Sequence, residues 1–433
     1  MSLLGSLFAA LLILAVPIAF ALGIAATAYL AIVHGMALSA VPQRIFAGLD
    51  QFVLMSIPFY ILAGFVMNEV QLTQRLVQFA EFLVGRWKGG LAQVTVVTSM
   101  FFGGISGAAA AEAAAIGSIL IPAMTRAGYK RDFATAVTVC ASIVGPLIPP
   151  SIPMLVYGVS SGASIGALFL AGVAPGIAVG VGMLVLNRFL ARNFPLPAAS
   201  LADAPPGAGG TSSAVAFWKS LRSALLALAM PVIILSGVVG GIFTPTESSV
   251  AAVVYAVTVG LLLRTLSLAS FGRLLVSTAI ISSTVMFIIA NANLVGWVMA
   301  FEQIPQAIAQ LFLSLTENRY VFLLLVAILL LIVGLFLETS GAIIILTPVL
   351  LPAAQAYGID PVHFGVVIVF GLVIGLVTPP VGLCLFVGCS IGQVSLQQLV
   401  RATLPYLALF VALYMVFLFV PAASLWLPSI MMN

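Results

Sequence analysis

Gly145-Pro-Leu-Ile-Pro-Pro150 interrupts an apolar segment over residues 133–162, and Gly375-Leu-Val-Thr-Pro-Pro380 interrupts another over 363–392. Proline has no backbone N–H and pushes the preceding residue out of helical geometry, so each segment is predicted to be a broken helix. The two stretches lie 230 residues apart. The same offset pairs Gly104 with Gly334, Pro122 with Pro352, Gly128 with Gly358, Gly158 with Gly388, Gly162 with Gly392, and Pro175 with Pro405. This shared spacing predicts an internal structural repeat.

The composition is that of a membrane protein. Of 433 residues, 63% are hydrophobic and 6% are charged, whereas a soluble domain carries about 25% charged residues. The long apolar runs match the roughly 20 residues that a helix needs to cross a bilayer. We therefore predict an all-α polytopic membrane protein, and we exclude a soluble enzyme, a nucleic-acid-binding protein and a disulfide-stabilised secreted domain. Cys140, Cys384 and Cys389 lack the spacing of a metal site and are interpreted as packing residues.

Breaks in hydrophobicity predict the spans. Single spans are expected at 3–31, 52–70, 168–191, 223–243, 247–264, 275–300 and 403–428. Two longer stretches, 91–125 and 320–355, are interrupted at 102–107 and 338–341, and each is predicted to form a re-entrant helical hairpin. An amphipathic interfacial helix is predicted before each hairpin, over 71–89 and 303–318. The polar stretch 193–216 is predicted to be a cytoplasmic linker.

Counting these spans predicts the topology. The second copy of the repeat enters the membrane with the opposite orientation, the N-terminus lies in the cytoplasm and the C-terminus in the periplasm. The positive-inside rule agrees, because every Lys and Arg except Arg44 and Arg319 then falls on the cytoplasmic side. The net charge of +4 is accordingly interpreted as orientation information.

The repeat predicts an inverted-repeat transporter of the elevator type, with two re-entrant hairpins and two broken helices. The predicted division is 1–90 for first-repeat scaffold spans and an interfacial helix, 91–165 for the first hairpin and broken helix, 166–319 for scaffold spans, linker and second interfacial helix, 320–395 for the second hairpin and broken helix, and 396–433 for a C-terminal scaffold span.

The four interruptions predict the site. Non-helical backbone at membrane depth is tolerated where it lines a polar cavity. Helix N-termini that follow Ser106, Pro150, Ser340 and Pro380 would face an anion. Carbonyl groups near Gly145 and Gly375 suit a hard cation such as Na⁺, and Ser106, Thr339, Ser340 and Thr378 add hydroxyl oxygens, although each hydroxyl could equally be a helix cap.

Two carboxylates lie inside predicted hairpins. Intramembrane carboxylates are costly and usually functional. Glu338 at the second tip is expected to help hold a cation or to carry a proton, while Glu112 could be functional or a buried structural acid. Glu247 follows Thr244-Pro245-Thr246 and is interpreted as part of a helix start.

Several motifs carry a resemblance to a known family. They are Gly103-Gly-Ile-Ser-Gly107, Ile121-Pro122, Gly128-Tyr129, Gly145-Pro-Leu-Ile-Pro-Pro-Ser-Ile152, Phe243-Thr-Pro-Thr-Glu247, Leu346-Thr-Pro348 and Gly375-Leu-Val-Thr-Pro-Pro-Val-Gly382. These motifs occur in the same order, and over nearly the whole chain, as in a known family. They resemble the large membrane (M) subunit of tripartite ATP-independent periplasmic (TRAP) transporters, the DctM-like subunit. The alanine run 108–111 departs from the family, whose members often have serine there.

The resemblance implies an elevator mechanism in the bacterial inner membrane, Na⁺ as coupling ion, and no organic cofactor. It implies as partners a small membrane subunit (Q) of four spans, a periplasmic substrate-binding protein (P), an organic-acid substrate and the lipid bilayer, with no nucleic acid. The implied substrate-binding residues are Ser106, Gly107, Pro150, Ser151, Ser340, Gly341 and Pro380. The implied Na⁺ ligands are Ser106, Gly145, Pro149, Glu338, Thr339, Ser340, Gly375, Thr378 and Pro379.

The sequence admits three alternatives. Gly104-Ile-Ser-Gly107 matches a motif of intramembrane serine proteases, but His34 and His363 fall at the outer ends of spans, so no catalytic residue is predicted. A self-sufficient ion-coupled carboxylate symporter or antiporter of the wider ion transporter superfamily shares the hairpins and repeats and stays open. A channel is less consistent with two closed hairpins.

Overall fold

The computed structural model describes residues 2–14, 16–35, 39–190 and 213–432. These residues form helices and connecting turns, and no strand occurs among them. The helices are α1 Ser2–Ile13, α2 Ile18–His34, α3 Ala40–Leu49, α4 Ser56–Glu69, α5 Leu72–Val84, α6 Gly90–Ser106, α7 Ala109–Arg126, α8 Arg131–Ala141, α9 Ile152–Ser161, α10 Ile165–Leu190, α11 Ser213–Val239, α12 Pro245–Leu262, α13 Leu268–Phe301, α14 Ile304–Leu315, α15 Arg319–Gly334, α16 Thr339–Ala356, α17 Pro361–Gly375, α18 Leu383–Gly392, α19 Leu396–Phe419 and α20 Pro421–Met431.

The predicted all-α membrane fold is confirmed. Within the described ranges, seven helical segments are long and apolar enough to cross a membrane. Six of them coincide with predicted spans, and the seventh, α16, is the second arm of the second predicted hairpin. The predicted linker over 193–216 lies outside the described residues, except for its last four, which begin α11.

The predicted single span over 3–31 is wrong. The chain ends α1 at Ile13, and α2 starts after Pro17, whose ring removes a donor from any continuous helix. Residues from both helices line one cavity: Leu4, Gly5 and Phe8 of α1 with Leu22 and Ala25 of α2. Leu4 could not reach Leu22 along a continuous helix, so α1 and α2 fold back on each other. The start of α1 therefore lies on the same side as the His34 end of α2. The prediction of a cytoplasmic N-terminus counted residues 3–31 as one membrane crossing, and the structure does not contain that single crossing.

The last predicted span, over 403–428, has different limits. Helix α19 begins at Leu396 and ends at Phe419, and Pro421 opens the separate helix α20. Helix α20 packs mainly against α10 rather than extending α19. The Ser424 hydroxyl of α20 lies 2.8 Å from Nδ1 of His363, at the start of α17. The start of α20 therefore lies at the same level as the start of α17.

The two hairpins are present, with their turns shifted from the predicted positions. Helices α6 and α7 are joined at residues 107–108, so the predicted break at 102–107 is helical up to Ser106. Helices α15 and α16 are joined at 335–338, and Thr339 to Gly341 form the first turn of α16. The second shift has a local cause, since the Glu338 side chain caps α16 and so extends it toward the turn.

The two broken helices agree closely with the prediction. Helix α8 continues into a 3₁₀ turn at Ser142–Val144, and α9 starts at Ile152, so the first break covers 145–151. Helix α17 ends at Gly375 and α18 starts at Leu383, which gives a second break over 376–382. Both breaks contain one cis peptide bond, at Pro149–Pro150 and at Pro379–Pro380. The predicted interfacial helices correspond to α5 and α14.

The two copies exchange equivalent contacts. Helix α9 packs against α16 and α17, and α18 packs against α7 and α8. Under the 230-residue offset these are the same contacts with the copies interchanged, as two-fold-related units make them. Helices α10 and α19 pack on this central group, where α10 contacts α6, α9 and α17 while α19 contacts α8, α17 and α18. A second group surrounds α13, which contacts α2, α3 and α4, while α12 contacts α4 and α11.

Candidate transport site

A cavity of about 260 Å³ lies between the two hairpin tips. Its lining combines the first hairpin, the start of α9, the start of α16, and a wall from α4 and α13: Phe102, Ala108, Ala111, Ala115, Ile152, Glu338, Ser340, Ile61, Gly64, Phe65, Asn68, Ile281 and Val285. Among these residues there is no Lys or Arg. Any charge selectivity of the cavity therefore depends on helix ends and on Glu338.

The first hairpin rests on the first break through its glycines. A methyl group on Gly103 would lie 2.8 Å from Cα of Gly145, and one on Gly104 would lie 3.0 Å from the Pro149 carbonyl oxygen. Gly107 has φ +59° and would bring a methyl group 2.8 Å from the Pro150 carbonyl oxygen. Gly107 thus combines a left-handed conformation with a close backbone approach, and both require glycine.

The second hairpin rests on the second break in a similar way. A methyl group on Gly375 would lie 2.3 Å from the carbonyl carbon of Gly334. Beyond this contact, the second break is more open than the first, and Pro380 is exposed whereas Pro150 is buried. Neither Gly375 nor Pro379 nor Pro380 lines the cavity between the hairpin tips. Residues 145–151 of the first break do not line it either: the first break contacts the tip of the first hairpin, and the second break follows Gly375, which contacts Gly334 at the end of α15.

Most hydroxyl groups predicted as ligands are occupied by local hydrogen bonds. Ser151 accepts from the Met154 N–H as the cap of α9 and donates to the Pro146 carbonyl. The Thr378 hydroxyl donates to the Ile374 carbonyl at 2.7 Å. Thr339 differs, because its hydroxyl is buried and makes no hydrogen bond within the described structure. Ser106 ends α6, and its side chain lies outside what the structure describes.

Glu338 serves as a helix cap. Its carboxylate accepts from the N–H groups of Ser340 and Gly341, at 2.9 and 3.1 Å, and from the Ser340 hydroxyl at 3.1 Å. A carboxylate at a helix N-terminus is stabilised by these donors and by the helix dipole. Glu338 and Ser340 therefore satisfy each other while still lining the cavity.

The start of α7 is different. Its cap residue is Ala108, which has no side-chain oxygen, and no side chain caps the first turn. Ala108 and Ala111 line the cavity, so the positive end of α7 opens into it. Free N–H groups at a helix start form a ready anion site. The two hairpins thus present opposite charges to the same cavity: the start of α7 carries a partial positive charge, and Glu338 carries a negative charge.

Glu112 is the polar group that the predicted site omitted. It lies in the first turn of α7 and is fully buried, with the Ser99 hydroxyl of α6 beside its carboxylate. The wall residues on α4 and α13 were also missed, because Phe65, Ile281 and Val285 belong to ordinary apolar spans and carry no sequence signal. For Glu112 the signal was present, as a lone acid in an apolar segment.

The candidate ligand atoms at the hairpins and breaks are oxygen atoms. Within the described ranges, no three His, Cys, Asp or Glu side chains form a group that could hold a metal ion. Carbonyl, hydroxyl and carboxylate oxygens are the ligands that remain at the hairpins and breaks. Such oxygens suit cations like Na⁺ rather than soft transition metals.

Comparison with known proteins agrees with this architecture. The family model described as "Tripartite ATP-independent periplasmic transporter, DctM component" matches residues 5–423. The large permease protein SiaM of a sialic acid TRAP transporter from Vibrio cholerae is 38% identical over 436 residues, covering 99% of each chain. The large permease protein DctM of a C4-dicarboxylate TRAP transporter from Rhodobacter capsulatus is 34% identical over 440 residues, covering 98% of each chain.

A solved structure shares the fold. The YdaH transporter of Alcanivorax borkumensis superposes with a TM-score of 0.65 at 17% identity, covering 92% of this chain and 90% of that one. The predicted family is confirmed by the family match over residues 5–423 and by the two permease relatives. The chain belongs to the DctM family of large permease components of TRAP transporters, and it is a multi-pass membrane permease rather than an enzyme.

Proposed function

We propose that this chain is the large transmembrane subunit of a Na⁺-coupled secondary transporter that imports an organic acid. The observation that carries the proposal is the cavity enclosed by both hairpin tips, with the uncapped start of α7 opening into it. A cavity at the junction of two repeats, lined by helix ends, is the usual substrate site of such transporters.

The substrate carboxylate would bind at the start of α7, where backbone N–H groups are free. Gly107 fits this role because its close contact with Pro150 keeps the hairpin turn beside the first break. Glu338 would repel a second carboxylate from the start of α16, so the acid binds in one orientation. The apolar wall of Phe65, Ile281 and Val285 would cover the remainder of the substrate.

The coupling cations would bind at the two hairpin–break junctions. At the first junction the candidates are Gly145 and Pro149, whose backbone the hairpin glycines touch. At the second junction the candidates are Gly375, whose backbone Gly334 touches, and Thr339, whose buried hydroxyl has no partner within the described ranges. Ser151, Thr378 and Ser340 are weaker candidates, since their hydroxyl groups already make the local hydrogen bonds described above.

An elevator movement would carry the central group of helices past the group around α13. The packing favours a larger moving body than the sequence predicted, because α10 and α19 contact the broken helices directly. We therefore include α6–α10 and α15–α20 in the moving body. The contacts of α5 with α6, and of α13 and α14 with α16, would be the surfaces that slide.

The partners follow from the family. A TRAP large permease works with a small membrane subunit, for which four spans are expected, and with a periplasmic binding protein that delivers the substrate. The relatives named above transport sialic acid in one case and C4-dicarboxylates in another, so an organic acid is proposed without choosing between them. These partners support a location in the bacterial inner membrane, and we expect the end of α20 to face the periplasm.

Uptake into proteoliposomes tests the proposal. The chain is reconstituted with its small subunit, and uptake is measured with and without the cognate binding protein under an imposed Na⁺ gradient. Ala111→Trp, which fills the cavity, should abolish uptake, whereas Ala269→Trp at the exposed start of α13, which does not line the cavity, should not. Full uptake without the binding protein would favour the self-sufficient symporter instead. Uptake that ignores the Na⁺ gradient would contradict the coupling.

A further inference from the structure

A second cavity lies at the far end of α7 from the hairpin tip. Its volume is about 220 Å³, and it is bounded by the last turns of α7, the start of α8 and the end of α18. Arg126 and Arg131 line it together with Gln393, and no acidic residue is among its lining residues. We call this cavity the arginine pocket.

The two arginines have no acidic partner. Neither forms a salt bridge among the residues that the structure describes. The acid next to them in sequence, Asp132, is occupied locally, because its carboxylate accepts from the N–H of Phe133 at 2.8 Å. Arg126 uses only its Nε, which donates to the Pro122 carbonyl at 3.4 Å. The positive charges of the arginine pocket are therefore available to an anion.

Local helix chemistry explains only one of these arginines. Arg126 lies in the last turn of α7, where a positive charge is favourable because the helix end carries a partial negative charge. Arg131 is the first residue of α8, where the helix end carries a partial positive charge and a cation is unfavourable. The positive-inside rule explains why both lie on the side predicted to be cytoplasmic, but it does not require them to share one pocket.

The second copy of the repeat builds the same region without cations. Under the 230-residue offset, Arg126 corresponds to Ala356 and Arg131 corresponds to Pro361. The backbone of the repeat therefore does not require arginine at either position. The positive charge is a property of one side of the protein only.

One exposed face of α7 connects the arginine pocket with the cavity between the hairpin tips. Ala111 lines the cavity between the tips, whereas Pro122 and Arg126 line the arginine pocket. Ser118 lies between them on the same face, and all four residues are exposed. At roughly 1.5 Å per residue, Arg126 lies about 22 Å along the helix axis from Ala111.

This face of α7 has the composition of a water-lined path rather than of a lipid-facing surface. Helix α7 exposes no large hydrophobic side chain, whereas α15 exposes several, among them Leu324, Ile328 and Ile332. The corresponding arm of the second hairpin is covered, because no residue of α16 before Gln355 is exposed. The open route from the cavity therefore runs along α7 to the arginine pocket.

The helix dipole gives the arginines a role on this route. An anion that leaves the start of α7 moves toward the negative end of the same helix, so the dipole of α7 opposes its exit. Arg126 and Arg131 reverse the sign of the charge at that end. Guanidinium groups also bind carboxylates through paired hydrogen bonds.

We propose that the arginine pocket is a second carboxylate-binding site, which the organic acid occupies after it leaves the cavity between the hairpin tips. The inference deepens the proposed function and rests on it for the identity of the anion. Because both arginines are exposed to water, binding is weak, as a site of brief residence on an exit route requires.

The test measures succinate binding at the arginine pocket itself. A bimane fluorophore is attached to Thr125→Cys, which lines the pocket, in a chain with Cys389→Ser. The two other cysteines, Cys140 and Cys384, are buried. Ala111→Trp is added to fill the cavity between the hairpin tips, so that only the arginine pocket responds. Sodium succinate then replaces sodium chloride at constant Na⁺ concentration while the fluorescence is followed.

We expect a saturable change in fluorescence. The double variant Arg126→Gln and Arg131→Gln should raise the half-saturating succinate concentration at least tenfold. The control is Arg273→Gln, which removes an exposed arginine of α13 outside the pocket and should leave the half-saturation unchanged. No saturable response, or the same half-saturation in the double variant, would overturn the proposal.

The uptake measurement separates this proposal from the proposed function. If uptake depends on the binding protein and on Na⁺ but the fluorescence does not respond to succinate, the second site is wrong while the transport function stands. If the fluorescence responds but the reconstituted chain transports no organic acid, the place of the pocket on a transport route is wrong.

A second measurement does not need the Ala111→Trp chain to fold. In the chain with native Ala111, a negatively charged methanethiosulfonate reagent should react with Thr125→Cys severalfold more slowly when succinate is saturating. Gln355→Cys occupies the equivalent position in the second copy, so its reaction should not be slowed. Equal effects of succinate at the two positions would contradict the assignment.

Discussion

Gly375→Ala is expected to separate the second hairpin from the second broken helix. The new methyl group would lie 2.3 Å from the carbonyl carbon of Gly334 and 2.5 Å from its Cα. Both atoms are backbone, so neither can turn aside as a flexible side chain would. Overpacking a close contact of this kind costs about 1 to 3 kcal/mol. Because Gly375 ends α17 in helical geometry, alanine adds no conformational strain that would confuse the result.

The chain offers a matched control. Gly296 lies in α13, is helical, and has nothing within 4 Å of the position that a Cβ would occupy. Gly296→Ala should be neutral or should stabilise α13 by up to about 1 kcal/mol, because alanine is the better helix former. Gly334→Ala gives an intermediate case, since its methyl group would meet the Leu372 carbonyl oxygen at 2.7 Å.

The assay compares the three variants in two measurements. Thermal midpoints in detergent should fall in the order Gly296→Ala, Gly334→Ala, Gly375→Ala, and the last variant should also lose transport in reconstituted vesicles. The reasoning is refuted if Gly375→Ala melts and transports like Gly296→Ala. That result would mean that α15 and α17 are not held together by this glycine contact.

Four other predictions address the site, the topology and the outer surface. Ser340→Ala removes one of the three donors to Glu338 and should weaken Na⁺-dependent uptake at limiting Na⁺ without preventing folding; unchanged uptake would count against a role for Ser340. Cysteines at Lys130 and Gln355, both exposed, should react with impermeant reagents from opposite faces, and labelling from one face would contradict the inverted topology. A cysteine at Leu3 should label from the face that labels Gln355, whereas labelling with Lys130 would restore the single first span. Hydrogen bonds from His34 and then Tyr29 lower the pKa of Glu302. The contact should therefore stabilise the chain fully above the ordinary carboxyl pKa of about 4.3, and this stabilisation should be lost as the pH falls through the lowered pKa. If the melting midpoint of Glu302→Gln has the same dependence on acid pH as that of the native chain, this prediction is contradicted.

The sequence predicted the features that depend on local backbone chemistry. Proline and glycine determine where a helix ends, so the breaks at 145–151 and 376–382 are evident from the amino-acid sequence alone. The hairpin turns were less accurate, because Glu338 extends α16 by a side-chain cap and Gly103 stays helical. Ser151 was predicted only as a substrate residue, and the structure shows its hydroxyl as the cap of α9.

Features that depend on distant contacts were not predictable. The reversal between α1 and α2 requires Leu4 to pack beside Leu22 and Ala25, and an apolar run followed by Pro17 is equally typical of a kinked span. The cavity wall was missed for a similar reason, since Phe65 and Val285 have the composition of any lipid-facing helix. Only the packing of α4 and α13 against the hairpins gives these residues a role.

The two copies share their backbone but not their charges, and this difference has a mechanistic consequence. Under the 230-residue offset, Glu112 corresponds to Ala342 and Glu338 corresponds to Ala108. Each hairpin therefore carries one carboxylate, but at different positions: Glu338 caps the start of α16, whereas Glu112 lies within the first turn of α7 and does not cap it. A fully symmetric pair of hairpins would offer either two anion sites or none. The observed pair instead presents one uncapped helix start and one start neutralised by Glu338 to the same cavity, so the carboxylate of an organic acid would bind at the start of α7. This difference between the hairpins supplies a direct electrostatic reason for the acid to bind in one orientation.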